Sequence, residues 1–285
     1  MILVFDTFGG LCNQMMDISS AINFCIEYNI SFTFRECCFR NKDLISWYPM
    51  KFSKLFDASF LQNYSSLYID FSYCNLTQYN TFNFDGKLVS RMFTCNFEQE
   101  LQNVSQTYVI LKQFSSVFDD SQTKINIYPS IRPSKRLLTL YTTIRDKLLQ
   151  ENEPYNCIHY RYESDFTRYF RLTNLESLES VLMRLKRRFA NPNLKIYLAT
   201  SNVTTILDVR NKRIANFILY KPEEALREYN YEELAFVDYM FGLHSQEIFG
   251  HSQSSFSNSL NRLKQTENYY NIHIPKRFWK RVVYC

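Results

Sequence analysis

A chain of 285 residues with 46% hydrophobic and 17% aromatic content can bury a sizeable core, as one large domain or two of ordinary size. Its formal charge of +5 is spread along the sequence apart from short groups such as Lys186-Arg187-Arg188 and Lys276-Arg277, which read as solvated helix faces. This pattern excludes a nucleic-acid footprint and suits a small phosphate-bearing ligand.

No run approaches the roughly 18 apolar residues of a membrane span. The eight cysteines form no CxxC pair and no Cys/His spacing of the zinc kind, so free structural thiols are expected. Sequons stand at Asn29, Asn63, Asn75, Asn103 and Asn202, but they carry weight only behind a signal peptide, and Ile2 opens an apolar strand with no basic segment before it. The expectation is a cytoplasmic or otherwise soluble chain with no signal peptide and no transmembrane segment.

Ile2–Asp6 is a short apolar run followed by Thr-Phe-Gly-Gly, and apolar residues at 15, 18, 21, 22, 25 and 26 then mark one helix face over 15–29. Residues 30–34 alternate like a strand, so the chain opens with a βαβ unit. From about 41 to 133 the pattern is irregular, with strand-like pieces at 66–69 and 108–111. Pro129 and Pro133 break the chain ahead of a helical run over 135–150, and the polar joint Glu151-Asn152-Glu153-Pro154 places a domain boundary near 150.

Beyond the joint, strands and helices alternate. Residues 155–161 form a strand, and a helix opened by a Thr173/Glu176 capping box carries Leu175, Leu178, Leu182, Leu185 and Phe189 on one stripe. A strand at Lys195–Ala199, a short helix capped by Asn202 and a strand at 214–219 follow. A helix opened by Asn230 and Glu233, a strand at 246–249 and a helix at 254–264 complete the pattern. Such alternation implies a parallel sheet. The expected architecture is α/β, with two Rossmann-like domains, residues 1–150 and 151–265, facing across a cleft, and a tail, 266–285, packing back on the first.

Three stretches carry candidate chemistry. Phe8-Gly9-Gly10-Leu11-Cys12-Asn13-Gln14 joins the first strand to the first helix. Its glycines let the backbone turn and approach a ligand, and the helix start offers unpaired N–H groups to an anion or a sugar hydroxyl. A plain turn explains the same glycines, and the lack of GxGxxG argues against a dinucleotide site of the usual kind.

The second stretch, residues 157–166 (CIHYRYESDF), is an apolar strand ending in charge. Arg161 presents five donors in a fixed fork and stays charged, which suits it to neutralise a phosphate oxygen as a leaving group develops. His159, two residues back on the same face, reads as a ligand contact or as a satisfied core imidazole. Glu163 and Asp165 read as catalytic carboxylates or as partners of Arg161 or Arg168. The third stretch, residues 249–257 (FGHSQSSFS), again runs from strand to helix. Serine hydroxyls and backbone N–H groups at a helix start cradle phosphate, and simple N-capping is the alternative. Upstream, Asp238 lies beside the apolar face of Leu234, Val237 and Phe241, as a base-reading carboxylate or a solvated one. No D-x-D triplet occurs, so no metal or other cofactor is signalled, and neutralisation falls to Arg161 and the helix start.

In this order and at this spacing, the motifs resemble the GDP-fucose protein O-fucosyltransferase family and its plant O-fucosyltransferase-like relatives. The shared pattern is the Gly-Gly-Leu-x-Asn-Gln loop, the HxRxExD segment from His159 to Asp165, an apolar-Tyr-Leu-Ala-Thr strand at 196–200, and a closing Asp238-Tyr239 followed by 249–256. It covers residues 1–57 and 155–264 and is sparse between.

The resemblance implies a GT-B fold with the donor held mainly by the C-terminal domain. It implies metal-independent, inverting transfer of a sugar, first of all L-fucose from GDP-fucose, to a protein or glycan hydroxyl. Carried over residue by residue, Arg161 would stabilise the departing diphosphate, His159 and Gly10 would contact the donor, and Asn13, among the catalytic residues, would lie near the reacting sugar. Ser254 and Ser255 would hold the β-phosphate, Phe256 would flank the base and Asp238 would help read guanine. The base that activates the acceptor stays open among Asp6, Asp17, Glu163 and Asp165, because Gly9-Gly10 stand where one branch of the family has a carboxylate. Also open are another nucleotide sugar such as UDP-xylose, a non-catalytic nucleotide or glycan reader, and a structural or virion-surface protein.

Overall fold

The computed structural model describes residues 2–40, 46–74, 80–83, 108–112, 127–161, 178–200 and 216–270. They fall into two compact units that divide between Leu137 and Leu138, inside a helix and a little before the polar joint at 151–154.

The first unit is built on a five-stranded sheet. Its strands are β1 (Ile2–Asp6), β2 (Ser31–Arg40), β3 (Trp47–Lys51), β4 (Asn80–Asn83) and β5 (Tyr108–Lys112), in the order β3-β2-β1-β5-β4. β1 pairs in parallel with β2 on one side and β5 on the other. Leu3, Val4 and Phe5 are no more than 1% exposed, as a central strand covered on both faces requires. Helix α1 (Leu11–Glu27) starts four residues ahead of the expected helix, with Gly10 as its extended N-cap (φ −64°, ψ 163°) and no side chain capping it.

β2 runs on to Arg40 instead of ending at 34, and β3 was not anticipated. β3 contains Pro49, which breaks a strand signal, but it pairs with β2 at the sheet's edge, where a missing N–H is tolerated. The piece at 66–69 is not a strand: the short 3-10 helix Ala58–Tyr64 leads into turns, and Tyr68 makes only a single bridge to Phe32. Phe34, Phe52 and Phe56, all buried, stack in series at 5.0 Å spacings in the core of this unit.

The second unit begins within helix α2 (Lys135–Leu148) and carries an all-parallel sheet. Its strands are β6 (Tyr155–His159), β7 (Lys195–Ala199), β8 (Ile218–Leu219), β9 (Ile248–His251) and β10 (Tyr269–Tyr270), in the order β10-β9-β6-β7-β8. Helix α3 (Leu178–Lys186) covers one face, packing Val181, Leu182 and Leu185 on Ile158, Ile196 and Leu198. Two further helices, α4 (Glu223–Glu228) and α5 (Tyr231–His244), precede β9, and α6 (Ser255–Lys264) follows it.

α5 covers the opposite face, where Phe241 stacks on Tyr197 at 3.8 Å and its carbonyl accepts the Tyr155 hydroxyl at 3.0 Å. The twofold alternation of β6 puts Cys157 and His159 on that same face. The Asn230/Glu233 capping box is formed as expected. Thr173, Glu176 and Asn202 lie outside the described residues. Of the expected tail, 266–285, only residues 266–270 are described, and there Tyr269–Tyr270 pairs in parallel with β9. Among the described residues no helix is long and apolar enough to cross a membrane.

Candidate functional site

In the second unit, β6 is followed by β7 on one side and flanked by β9 on the other. The strand order therefore reverses between β6 and β9, the place at whose C-terminal ends open α/β sheets hold their ligands. His159 closes β6, Arg161 stands two residues beyond it, His251 closes β9, and α6 starts four residues later.

His159 is buried, with Nδ1 2.7 Å from Ser257 Oγ and its ring 4.4 Å from that of Phe256. Its carbonyl accepts the Tyr270 hydroxyl at 2.6 Å. Burial first, and then the charge of Arg161, hold its pKa well below the ordinary histidine value, so the ring is neutral at pH 7. His251 is also buried, and burial together with Arg161 lowers its pKa to about 4. Its Nδ1 accepts the Gln253 N–H at 3.3 Å.

Ser254 occupies the N-cap of α6 with an extended backbone (φ −99°, ψ 120°), yet its side chain makes no capping bond. Its N–H donates to the His251 carbonyl at 3.0 Å and its carbonyl accepts from Asn258 at 2.9 Å, while its Oγ is buried without a partner among the described residues. No acidic residue stands in the first turn. The positive end of a ten-residue helix thus carries a buried hydroxyl and two neutral imidazoles, both of which feel the charge of half-buried Arg161. Such a set receives an anion of the phosphate class. Ser255 is exposed on the first turn, and Phe256 is buried between His159 and Tyr239, whose ring meets it edge-on at 5.7 Å.

Asp238 has a different neighbourhood from the one the sequence suggested. Both of its oxygens accept from Lys221 Nζ, and Oδ1 also accepts the Tyr197 hydroxyl at 2.7 Å. Lys221 is fully buried and donates to the Thr200 carbonyl at 2.9 Å as well. A lone lysine ahead of Pro-Glu-Glu gave no sequence signal for this pair. Glu163 and Asp165 lie outside the described residues.

In the first unit the glycine loop is clamped from beneath. Gln14 is fully buried: its Nε2 donates to the Gly9 carbonyl at 2.9 Å and the Cys38 carbonyl at 2.6 Å, and its Oε1 accepts from Cys38 N at 3.0 Å and Thr7 Oγ1 at 2.8 Å. Asp17 Oδ2 accepts the Phe8 N–H at 2.9 Å, and Asp6 accepts two donors of Arg35. Asp6 and Asp17 are both buried, each accepting hydrogen bonds within the first unit.

Gly9 has φ +93°, a region glycine enters freely, and a Cβ there would meet Asn13 Cβ at 3.1 Å. Asn13 is exposed on the first turn of α1. Gly10 lies against Arg40, one of whose guanidinium nitrogens would be 3.4 Å from a Cβ at that position. Arg40 is buried, sits over the Trp47 ring at 5.2 Å, and escaped the sequence reading because its strand was expected to end at 34. The structure therefore groups His159, Arg161, Ser254, Ser255 and Phe256 in one unit and Gly10 and Asn13 in the other. Among the described residues no group of three or more His, Cys, Asp or Glu side chains is placed to hold a metal ion.

No family model matches the chain, and no curated protein matches it. Solved structures do resemble it. POFUT1 in complex with GDP-fucose superposes with a TM-score of 0.64 at 11% identity, over 95% of this chain and 98% of that one. Fucosyltransferase NodZ from Bradyrhizobium gives 0.57 at 10% identity over 91% of each chain. A mutant of Arabidopsis thaliana FUT1 in complex with GDP gives 0.55 at 12% identity, over 96% of this chain and 71% of that one. At such identities the likeness establishes the fold, the α/β GT-B fold expected from the sequence.

Proposed function

We propose that the chain is an inverting glycosyltransferase that moves L-fucose from GDP-fucose to a hydroxyl of a protein or glycan. The observation that carries this reading is the buried Ser254 Oγ, without a hydrogen-bond partner among the described residues, at the uncapped start of α6, whose neighbour His251 feels the charge of Arg161. The fold supports it, since solved proteins of similar fold hold GDP or GDP-fucose.

In this reading Ser254, Ser255 and the first N–H groups of α6 hold the β-phosphate, and neutral His159 contacts the donor. The bond between the sugar carbon and the phosphate oxygen breaks, and its electron pair passes to the diphosphate. Arg161 meets the charge that develops there with a fork of donors. The acceptor hydroxyl attacks the opposite face of the sugar and gives its proton to a carboxylate, Glu163 or Asp165. Charge neutralisation by Arg161 and the helix start makes the transfer independent of a divalent ion. Phe256 flanks the base, and Asp238 supports the base-reading wall through Lys221 and Tyr197. The roles of Gly10 in donor binding and of Asn13 at the reacting sugar rest on the sequence resemblance.

The test is turnover of GDP-fucose, as hydrolysis or transfer in excess EDTA, by the wild type and Arg161→Ala. The expected loss is about 10²- to 10³-fold in kcat, the scale for removing one transition-state donor. Equal rates would remove Arg161 from the mechanism. A thermal shift with UDP but not GDP would move the reading to another nucleotide sugar, and GDP binding without turnover would make the protein a reader.

A further inference from the structure

We propose that Ser257 is a positioning residue: its hydroxyl donates to Nδ1 of His159 and keeps the ring proton on Nε2, as a hydrogen-bond donor for the phosphate of a bound nucleotide. This rests on the phosphate site proposed above and adds a part that neither the motif nor the fold assigns. Ser254 and Ser255 precede it at the helix start, but Ser257, one turn in, meets the histidine at 2.7 Å.

Ser257 is fully buried and His159 is 6% exposed, so water does not compete for the bond. A neutral imidazole carries one N–H, and burial and the charge of Arg161 keep this ring neutral. Two arrangements satisfy the distance. If Nδ1–H donated to Ser257, Nε2 would carry a lone pair and repel any phosphate oxygen that approached it. If the hydroxyl donates to Nδ1, Nε2 carries the proton and attracts them. A site that also offers Arg161 and a helix start is complementary to anions only in the second arrangement.

The pair is held rigidly from both sides. A Cβ at Gly250 would lie 2.4 Å from Ser257 Cβ, 2.5 Å from its Oγ and 3.2 Å from its Cα, so β9 presses on α6 at the serine and leaves its side chain little room for another rotamer. On the histidine, the Phe256 ring at 4.4 Å and the Tyr270 bond to the carbonyl fix the ring plane and the strand end. Gly250 thus permits the contact, Ser257 makes it and His159 delivers it.

The experiment is ¹⁵N NMR of histidine-labelled protein, apo and with GDP, alongside calorimetric GDP titration of the wild type, Ser257→Ala, Ser257→Cys and the His159→Ala background. The expected wild-type spectrum shows His159 protonated at Nε2 with Nδ1 accepting. Ser257→Ala should mix the tautomers and weaken GDP roughly five- to tenfold, the scale of one neutral hydrogen bond, and Ser257→Cys, with a weaker donor, should fall between. In His159→Ala protein the serine change should have no further effect on GDP affinity. A wild-type His159 protonated at Nδ1, or an unchanged tautomer in Ser257→Ala, overturns the proposal; so does an equal loss of GDP affinity with and without the histidine. Absence of GDP binding by the wild type would end the proposed function, while the apo spectrum still decides which way the serine bond runs.

Discussion

His159 and His251 resist protonation, and this sets a pH dependence that begins at single residues. The unfolded chain titrates its histidines near 6.5, whereas folded His251 titrates at about 4 and His159 well below 6.5. Between those values the unfolded state binds more protons, so stability is full above about pH 6.5 and falls as the pH drops toward 4. For His251 the full difference is about 3 kcal/mol. Urea midpoints measured from pH 7.5 to 4.5 should therefore fall, and His251→Gln should flatten the slope; an identical slope in the variant would show that His251 is not held neutral. In sequence, Arg161, His159 and Ser254 were visible as charge at a strand end and hydroxyls at a helix start, because both patterns are local. Lys221 was not, since its partner Asp238 is brought to it only by the packing of α5 on the sheet. His251 stood inside a motif already noted, yet a single histidine has no spacing to distinguish it.

Among the elements, the longer helices and central strands followed from periodicity, whereas α4, six residues long, was not anticipated, and the strand failures came where edge position replaced pattern. β3 hid behind Pro49, and the extension of β2 to Arg40 hid behind charged residues that one side of a sheet tolerates. Gly250 and Gly242 show how element packing sets the tolerance of a residue. A Cβ at Gly242 would meet the ends of Leu260 (2.6 Å) and Ile248 (3.1 Å), which can swing away, and alanine gains about 1 kcal/mol of helix propensity there. At Gly250 the obstacle includes Ser257 Cα, which moves only if α6 moves. Gly250→Ala should cost about 3 kcal/mol, at the upper end for overpacking, and Gly242→Ala less than about 1. Chemical denaturation of the two variants checks the order, and equal costs would mean that α6 yields as easily as a leucine side chain. The ion pair of Lys221 with Asp238 ties the chain ahead of α4 to α5 in the same way. Lys221→Met alone leaves a buried carboxylate uncompensated and should cost about 3 to 5 kcal/mol. The double variant Lys221→Met/Asp238→Asn should recover part of that in a double-mutant cycle, whereas additive losses would show no coupling.

The whole chain consists of two units with separate sheets, and the residues assigned to the phosphate lie in one of them. A ligand stabilises only the structure it binds, by about 2.7 kcal/mol at one hundred times its Kd. GDP should therefore slow hydrogen exchange in β6, β9 and the first turns of α6, and raise the melting temperature of the second unit. β1 and α1 of the first unit should exchange at their unliganded rates. A chain of two units need not unfold in one step, so exchange measured segment by segment is more informative than a single melting curve. GDP-fucose adds the sugar to the same nucleotide. If Asn13 meets that sugar, protection should extend to residues 8–14 with GDP-fucose and not with GDP, and Asn13→Ala should abolish the extension while leaving protection in α6 intact. Equal protection of that loop by both ligands would place it on the nucleotide rather than the sugar. Protection of the loop by neither would confine the donor to the second unit and take Asn13 out of the donor site.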